Sequence, residues 1–316
     1  VAAWQLMLAD IVNGPRDGFV DWMQIDRIDA QDRDIGVARH WLDPTIPFAS
    51  TVLEPAHGVT VTSATLQDQA PRRKPEDAAP SAGAPPHDGW QSALALTGAI
   101  HLDHPSLRAS FTSPFDYARQ TKVLVVNDLE RDRPEATAAA MAGLMKAAGG
   151  GGLGLFTAIR RLKAVYPALL ARLEEVDLPL YAQHIDRMNL QTLLAMFREE
   201  PESCLLGTDA VRDGIDVPGA ALRLIVFDRM PWPRSDILFQ ARAEWQGRDA
   251  WTDRIARLKL RQAFGRLIRR ADDRGVFVML DSRLPTRLTS AFPPDVEVER
   301  IGLAEAIGTT GSFLSE

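Results

Sequence analysis

With 316 residues, the chain is long enough for about two domains, and a hydrophobic content of 46% is enough to fill real cores. Charged residues at 25% exclude wholesale disorder, and no apolar window of about 18 residues is free of charge, so no helical membrane span is expected. The net charge of −6 excludes a globally basic nucleic-acid surface, while a local groove of backbone N–H groups, hydroxyls and a few arginines stays open.

The chain starts at Val1. Its first stretch, VAAWQLMLADIVNG, is apolar with a helical pattern but has neither a basic leader nor a small-residue cleavage site, so this start is expected to lie inside a longer protein. Two strand-like runs follow, DWMQIDRID and GVTVTSATL. Residues 70–89, APRRKPEDAAPSAGAPPHDG, combine Pro, Ala, Gly and charge with almost nothing to bury, and read as a loop or disordered insert. The zones are therefore 1–69, 70–89 and 90–316, with no internal repeat.

The third zone has a regular rhythm. GLGLFT (152–157), LPLYAQ (178–183), SCLLGT (203–208), LRLIVFD (222–228) and GVFVMLD (275–281) are short apolar runs of strand length. Between them, residues 158–175 place Ile159, Leu162, Val165, Leu169, Leu170 and Leu173 at helical spacing, and 189–199 do the same with Leu190, Leu193, Leu194 and Phe197. A further helix is expected over Arg254 to Ala271. Apolar strands alternating with amphipathic helices specify an α/β fold, a parallel sheet covered on both faces. Ligands of such sheets bind at the carboxyl ends of the strands.

Cys204 is the single cysteine, in the apolar run CLLGT. A disulfide framework, a cysteine zinc site and a four-cysteine iron–sulfur cluster are thereby excluded within this chain. A buried core thiol is expected, and a cytoplasmic location fits. The six histidines show no metal-ligand spacing, and neither a GxxxxGK[ST] loop nor a DExH-like acidic box occurs.

Four segments can carry chemistry. In LKLRQAFGRLIRRADDRG, Gln262, Arg266 and Arg269 stand at i, i+4 and i+7, on one face of the expected helix. Two arginines and a glutamine there form a donor set that matches phosphate oxygens, and Gly265 admits close approach. The spacing alone equally fits a solvated basic face near a helix C-terminus. GTDAVRDGIDVPG (207–219) reads as a loop in which Gly214 permits a positive-φ turn and the N–H groups can form an anion nest. Thr208, Asp213 and Asp216 would there orient a ribose, a water or an arginine, and an ordinary turn-rich connection fits as well. TSATL (62–66) ends an apolar strand with hydroxyls that can relay hydrogen bonds or simply satisfy a strand end. GGGGLGLFT (149–157) precedes a strand instead of joining strand to helix, and reads as a flexible entry to the sheet. Trp232, in MPWP, can stack on a base or sit in a core.

Taken in order, these pieces resemble the C-terminal motor region of superfamily 2 helicases of the DinG/XPD type. QAFGRLIRR looks like motif VI, LLGTDAVRDGIDVPG like motif V, VTVTSATL like motif III and LGLFTAIRRL like motif IV. SPFDY (113–117), DRMPWP (228–233) and DDRGVFVMLDSR (272–283) also look like family segments. The likeness runs over roughly residues 50–290. It departs from the family where Asp213 replaces a Glu and Val211-Arg212 replace an aromatic pair.

The resemblance implies a second RecA-like motor domain, preceded over 1–69 by the closing strands of the first. It implies ATP and Mg²⁺ as cofactors, with their main ligands in the first motor domain. Arg266 and Arg269 would reach the phosphates as arginine fingers, with Gln262 and Asp213 completing the catalytic set and Gly214, Asp216 and Gly265 lining the nucleotide. Ser63, Thr65, Thr157, Arg160 and Thr208 would face single-stranded DNA, Ser63 and Thr65 coupling it to the nucleotide. The partner is single-stranded DNA or a forked duplex, the motor a monomer, and the chain alone is expected not to turn over ATP. A nucleic-acid-binding or interaction module that kept the fold without catalysis is the alternative, and DNA rather than RNA rests on the resemblance alone.

Overall fold

The computed structural model describes residues 2–14, 16–28, 31–68, 89–130, 132–214, 217 and 219–315. Asp216 and all but the last residue of the expected 70–89 insert lie outside the described residues. In chain order the elements begin with α1 (Ala2–Asn13), β1 (Phe19–Ile28), β2 (Gln31–Trp41), α2 (Thr45–Phe48), α3 (Gly89–Thr97), α4 (Tyr117–Gln120) and β3 (Thr121–Val126). Next come α5 (Pro134–Ala148), β4 (Gly152–Leu155), α6 (Ile159–Glu174), β5 (Leu180–Ala182), α7 (Leu190–Glu199), β6 (Cys204–Gly207), α8 (Asp209–Gly214) and β7 (Leu224–Phe227). The last are α9 (Ile237–Gln246), α10 (Arg248–Phe264), β8 (Gly275–Met279), β9 (Val298–Ile301) and α11 (Leu303–Ser315).

The described residues fall into two compact units. One holds residues up to 68 with 89–109 and 233–255, and the other holds 110–232 with 256–315. In the first, β1 and β2 form an antiparallel ribbon with Met23 opposite Val37 and a bulge between Asp26 and Arg27. Arg39 fixes it by gripping both carboxylate oxygens of Asp21 at 2.7 Å and reaching Asp10 at 2.7 Å. The expected strand over GVTVTSATL does not form: residues 58–66 make no ladder, and Val59 and Val61 are about half exposed. An alternating sequence becomes a strand only when another backbone satisfies its N–H and C=O groups, and 58–66 find none among the described residues.

The second unit carries a seven-stranded sheet in the order β5-β6-β4-β7-β8-β3-β9, parallel throughout. Period-2 alternation divides its side chains cleanly. Val123, Val125, Leu205, Ile225 and Phe277 face one core with α7 and the C-terminal half of α10. Leu124, Leu206, Val226 and Val278 face the other with α5, α6 and α11. The inner strands β4, β6, β7 and β8 are buried on both faces, which is why their runs are continuously apolar. Cys204 lies fully buried in β6, and burial pushes its thiol up to about 12.

The glycine run before β4 is not a flexible entry. Gly149, Gly150 and Gly151 all have positive φ, and a side chain on Gly150 would overlap the Glu202 carbonyl oxygen. These glycines supply a left-handed path through a tight space. The expected helix to Ala271 is also shorter: α10 stops at Phe264. Gly265 favours an end there, and Arg266 N–H to Ala263 and Leu267 N–H to Phe264 are tight three-residue bonds. Leu267 and Ile268 beyond it are both buried. Arg266 and Arg269 therefore sit on a turn after the helix, not on a helical face with Gln262.

Candidate functional site

Parallel strands collect their last residues along one edge of the sheet. Thr157 follows β4 and Thr208 follows the neighbouring β6, with Leu155 paired to Gly207 just before them. Both threonines are half-buried, while Arg160, in the first turn of α6, is exposed. Gln183, which follows β5, accepts at its Oε1 from both the N–H and the hydroxyl of Thr208, each at 3.0 Å. His184 takes a left-handed backbone (φ 69°) and brings Nε2 to 3.4 Å from the same hydroxyl. Gln183 and His184 were not singled out from the sequence, although their place directly after an apolar strand was the available signal.

A buried ion pair stiffens this edge. Asp228, after β7, is 2% exposed at its side chain and accepts from Arg161 Nε at 3.1 Å. Arg161 Nη2 also donates to Thr137 Oγ1 at 2.7 Å. Trp232, four residues further on, is 36% exposed.

The segment expected as a loop after Thr208 turns at once into α8. A side chain at Gly207 would overlap Val211, so glycine there lets the helix fold directly back. Arg212 is 5% exposed and lies between two carboxylates, with Nη1 to Asp209 at 2.9 Å and Nη2 to Asp213 at 2.9 Å. Lys259 on α10 takes the other oxygen of Asp209 at 2.8 Å. Asp213 thus offers its carboxylate to its neighbour Arg212, and its backbone carbonyl accepts from Arg266 Nη2 at 3.0 Å. Gly214 ends α8 without the positive φ expected of it.

The structure therefore brings Arg266 to Asp213 near the end of α8, while Thr157 and Thr208 follow neighbouring strands at its start. Gln262 is half-buried on the last turn of α10, and Gly265 is exposed beside it. Arg269 is exposed on the turn, and its N–H donates to Asp273 at 2.7 Å. Ser63 and Thr65 belong to the first unit, where their hydroxyls lie 3.1 Å apart. Among the described residues no group of three or more His, Cys, Asp or Glu could hold a metal ion, and no helix is long and apolar enough to cross a membrane.

A parallel sheet covered by helices on both faces is the α/β architecture expected from the sequence. The family described as "Helicase C-terminal domain" matches residues 141–298, half of the chain, and the chain belongs to it as the C-terminal region of a DinG/XPD-type helicase. It is similar to the ATP-dependent helicase DinG of Mycobacterium tuberculosis, 34% identical over 223 residues, which cover 65% of this chain and 33% of that protein. It is also similar to the ATP-dependent DNA helicase YoaA of Escherichia coli, 32% identical over 187 residues, covering 55% and 28%. A third relative is the 3'-5' exonuclease DinG of Bacillus subtilis, 25% identical over 287 residues, covering 86% and 29%. The chain spans about a third of the length of these relatives.

Proposed function

We propose that the chain is the second motor part of an ATP-dependent DNA helicase, in which hydrolysis drives translocation on single-stranded DNA and opens a forked duplex. In this reading ATP and its Mg²⁺ sit against a first motor domain, and residues 1–69 belong to that domain's end. In this reading the metal's main ligands belong to the first motor domain, and no step is assigned to it within this chain. Arg266 and Arg269 approach the nucleotide from the turn after α10, with Gln262, Gly265 and Gly214 as further nucleotide residues; Asp216, assigned the same role, lies outside the described residues. Their charge is permanent and delocalised, which suits the charge that develops on a transferred phosphoryl group. Asp213 acts through its carbonyl, which orients Arg266, while one oxygen of its carboxylate is held by Arg212.

At the other end of α8, the hydroxyls of Thr157 and Thr208 and the guanidinium of Arg160 meet the phosphodiester backbone. Such contacts are indifferent to base sequence, as a translocating motor requires. Ser63 and Thr65 are the relay to the nucleotide. The observation that carries this reading is the Arg266–Asp213 hydrogen bond, because it joins the arginine turn to the helix that follows Thr208.

The test is ATP turnover by the full-length protein with and without single-stranded DNA. Arg269→Ala should lower DNA-stimulated turnover on the order of 1,000-fold, the range seen when an arginine finger is removed. Unchanged turnover in Arg269→Ala would end the arginine-finger assignment.

A further inference from the structure

The arginine turn lies beyond the end of α10, and a segment about 150 residues earlier in the chain reaches its backbone carbonyls. We propose that Ser113–Gln120 is a positioning platform for that turn, with Gln120 as its pin and Asp273 as its internal brace. This rests on the reading that Arg266 and Arg269 act on the nucleotide.

The platform is built from its own sequence. Ser113 Oγ accepts from Phe115 N–H at 3.3 Å, and Asp116 caps α4 by accepting from Arg119 N–H at 3.2 Å. The Tyr117 ring then packs on Phe264, the last residue of α10, at 5.9 Å between centroids. Thr121 Oγ1 donates back to the Tyr117 carbonyl at 2.6 Å, tying α4 to the start of β3. Thr121 is in turn paired with Gly275 at the start of β8. One side of the platform is thus the sheet, and the other is the end of α10.

Gln120 does the pinning. Its buried Nε2, with two hydrogens to share, lies within hydrogen-bond distance of three carbonyl oxygens of the turn, Arg270 at 3.2 Å, Ala271 at 3.1 Å and Asp273 at 2.9 Å. Three carbonyls converging on one amide nitrogen fix the path of residues 270–273 relative to β3. Asp273, also buried, accepts at Oδ2 from the N–H groups of Arg269 and Arg270, both at 2.7 Å. The backbone of Arg269 is therefore held from inside by Asp273, and the segment after it from outside by Gln120. An open cleft of about 540 Å³ lined by Pro114, Asp116, Arg119 and Ala271–Arg274 runs along this contact. A turn held this way presents its arginines without an ordering step during turnover, which is how preorganised donors stabilise developing charge. Neither Gln120 nor Asp273 needs to touch the nucleotide, so both are positioning residues.

The test uses the full-length protein and the variant Gln120→Glu, which keeps the side chain's size but turns the donor into a carboxylate facing three carbonyls. A displacement of an ångström at a catalytic group costs on the order of 100-fold. The expected result is a loss of that order in kcat for DNA-stimulated ATP hydrolysis, with KM for ATP little changed. Combined with Arg269→Ala, Gln120→Glu should add almost nothing, because both act on the same turn. Amide hydrogen exchange supplies a readout independent of activity: Arg269 and Arg270 should lose protection while Val123–Val126 in β3 keep theirs. Wild-type kcat in Gln120→Glu, or a loss that multiplies in full with that of Arg269→Ala, overturns the proposal. If Arg269→Ala itself turns over normally, the arginine reading fails, and retained protection at Arg269 in Gln120→Glu then overturns the platform separately. Should Gln120→Glu not fold, Gln120→Asn, which keeps the amide but shortens it, is judged by the same outcomes.

Discussion

Asp228 shows how much one side chain can hold at this sheet edge. It is a carboxylate at 2% exposure, and its charge is met by Arg161, at 12% exposure, together with Thr137. A buried pair of this kind adds little over an apolar substitute, but removing one partner strands the other. Asp228→Ala should lower stability by about 3–5 kcal/mol, measurable as a shifted urea midpoint with an unchanged slope. A loss under about 1 kcal/mol would mean that Arg161 finds another partner. This network was not legible in the sequence, since DRMPWP was read as a family segment and Arg161 appeared only as part of a helix. Contacts between residues 67 positions apart follow from sheet order, which apolar periodicity does not specify. Cys204 was legible, because a lone thiol inside CLLG has nowhere to go but the core.

At the scale of elements, strands and helices of the parallel sheet were readable from their apolar runs, and the failures have physical causes. α10 ends early at Phe264, where Gly265 weakens the helix and three-residue bonds from Arg266 and Leu267 replace the helical ones. α8 was read as a loop because six residues flanked by glycines carry no periodic signal, and it forms through Arg212 bridging Asp209 and Asp213. Residues 58–66 alternate like a strand but have no partner among the described residues. The β1–β2 ribbon makes a prediction of its own. The hydrogen bonds from Arg39 hold Asp21 below its ordinary carboxylate range, against the opposing effect of burial. A depressed folded value means that Asp21 contributes in full above its unfolded value near about 4 and stops contributing as pH falls through the folded value. The fluorescence transition of Trp22 and Trp41 should therefore show loss of the ribbon in acid, and Asp21→Asn should flatten that dependence. An acid transition identical in Asp21→Asn would assign the effect to other carboxylates.

On the scale of the whole unit, the residues expected from the sequence divide between two places that α8 joins. Thr157, Thr208 and Arg160 stand at the carboxyl edge of the sheet, where ligand contacts were expected. Arg266 and Arg269 stand on the turn that leads into β8, which the expectation of a single helical face could not show. The central claim is that these places do different work, the first on DNA and the second on the nucleotide. It is tested most directly by ATP turnover of the full-length protein as single-stranded DNA is titrated. Thr208→Val should raise the DNA concentration needed for half-maximal stimulation several-fold and leave the saturated rate close to wild type. Arg269→Ala should do the reverse, lowering the saturated rate with the DNA midpoint unmoved. A Thr208→Val protein that loses its saturated rate at an unchanged midpoint, or an Arg269→Ala protein that shifts only the midpoint, would contradict the division.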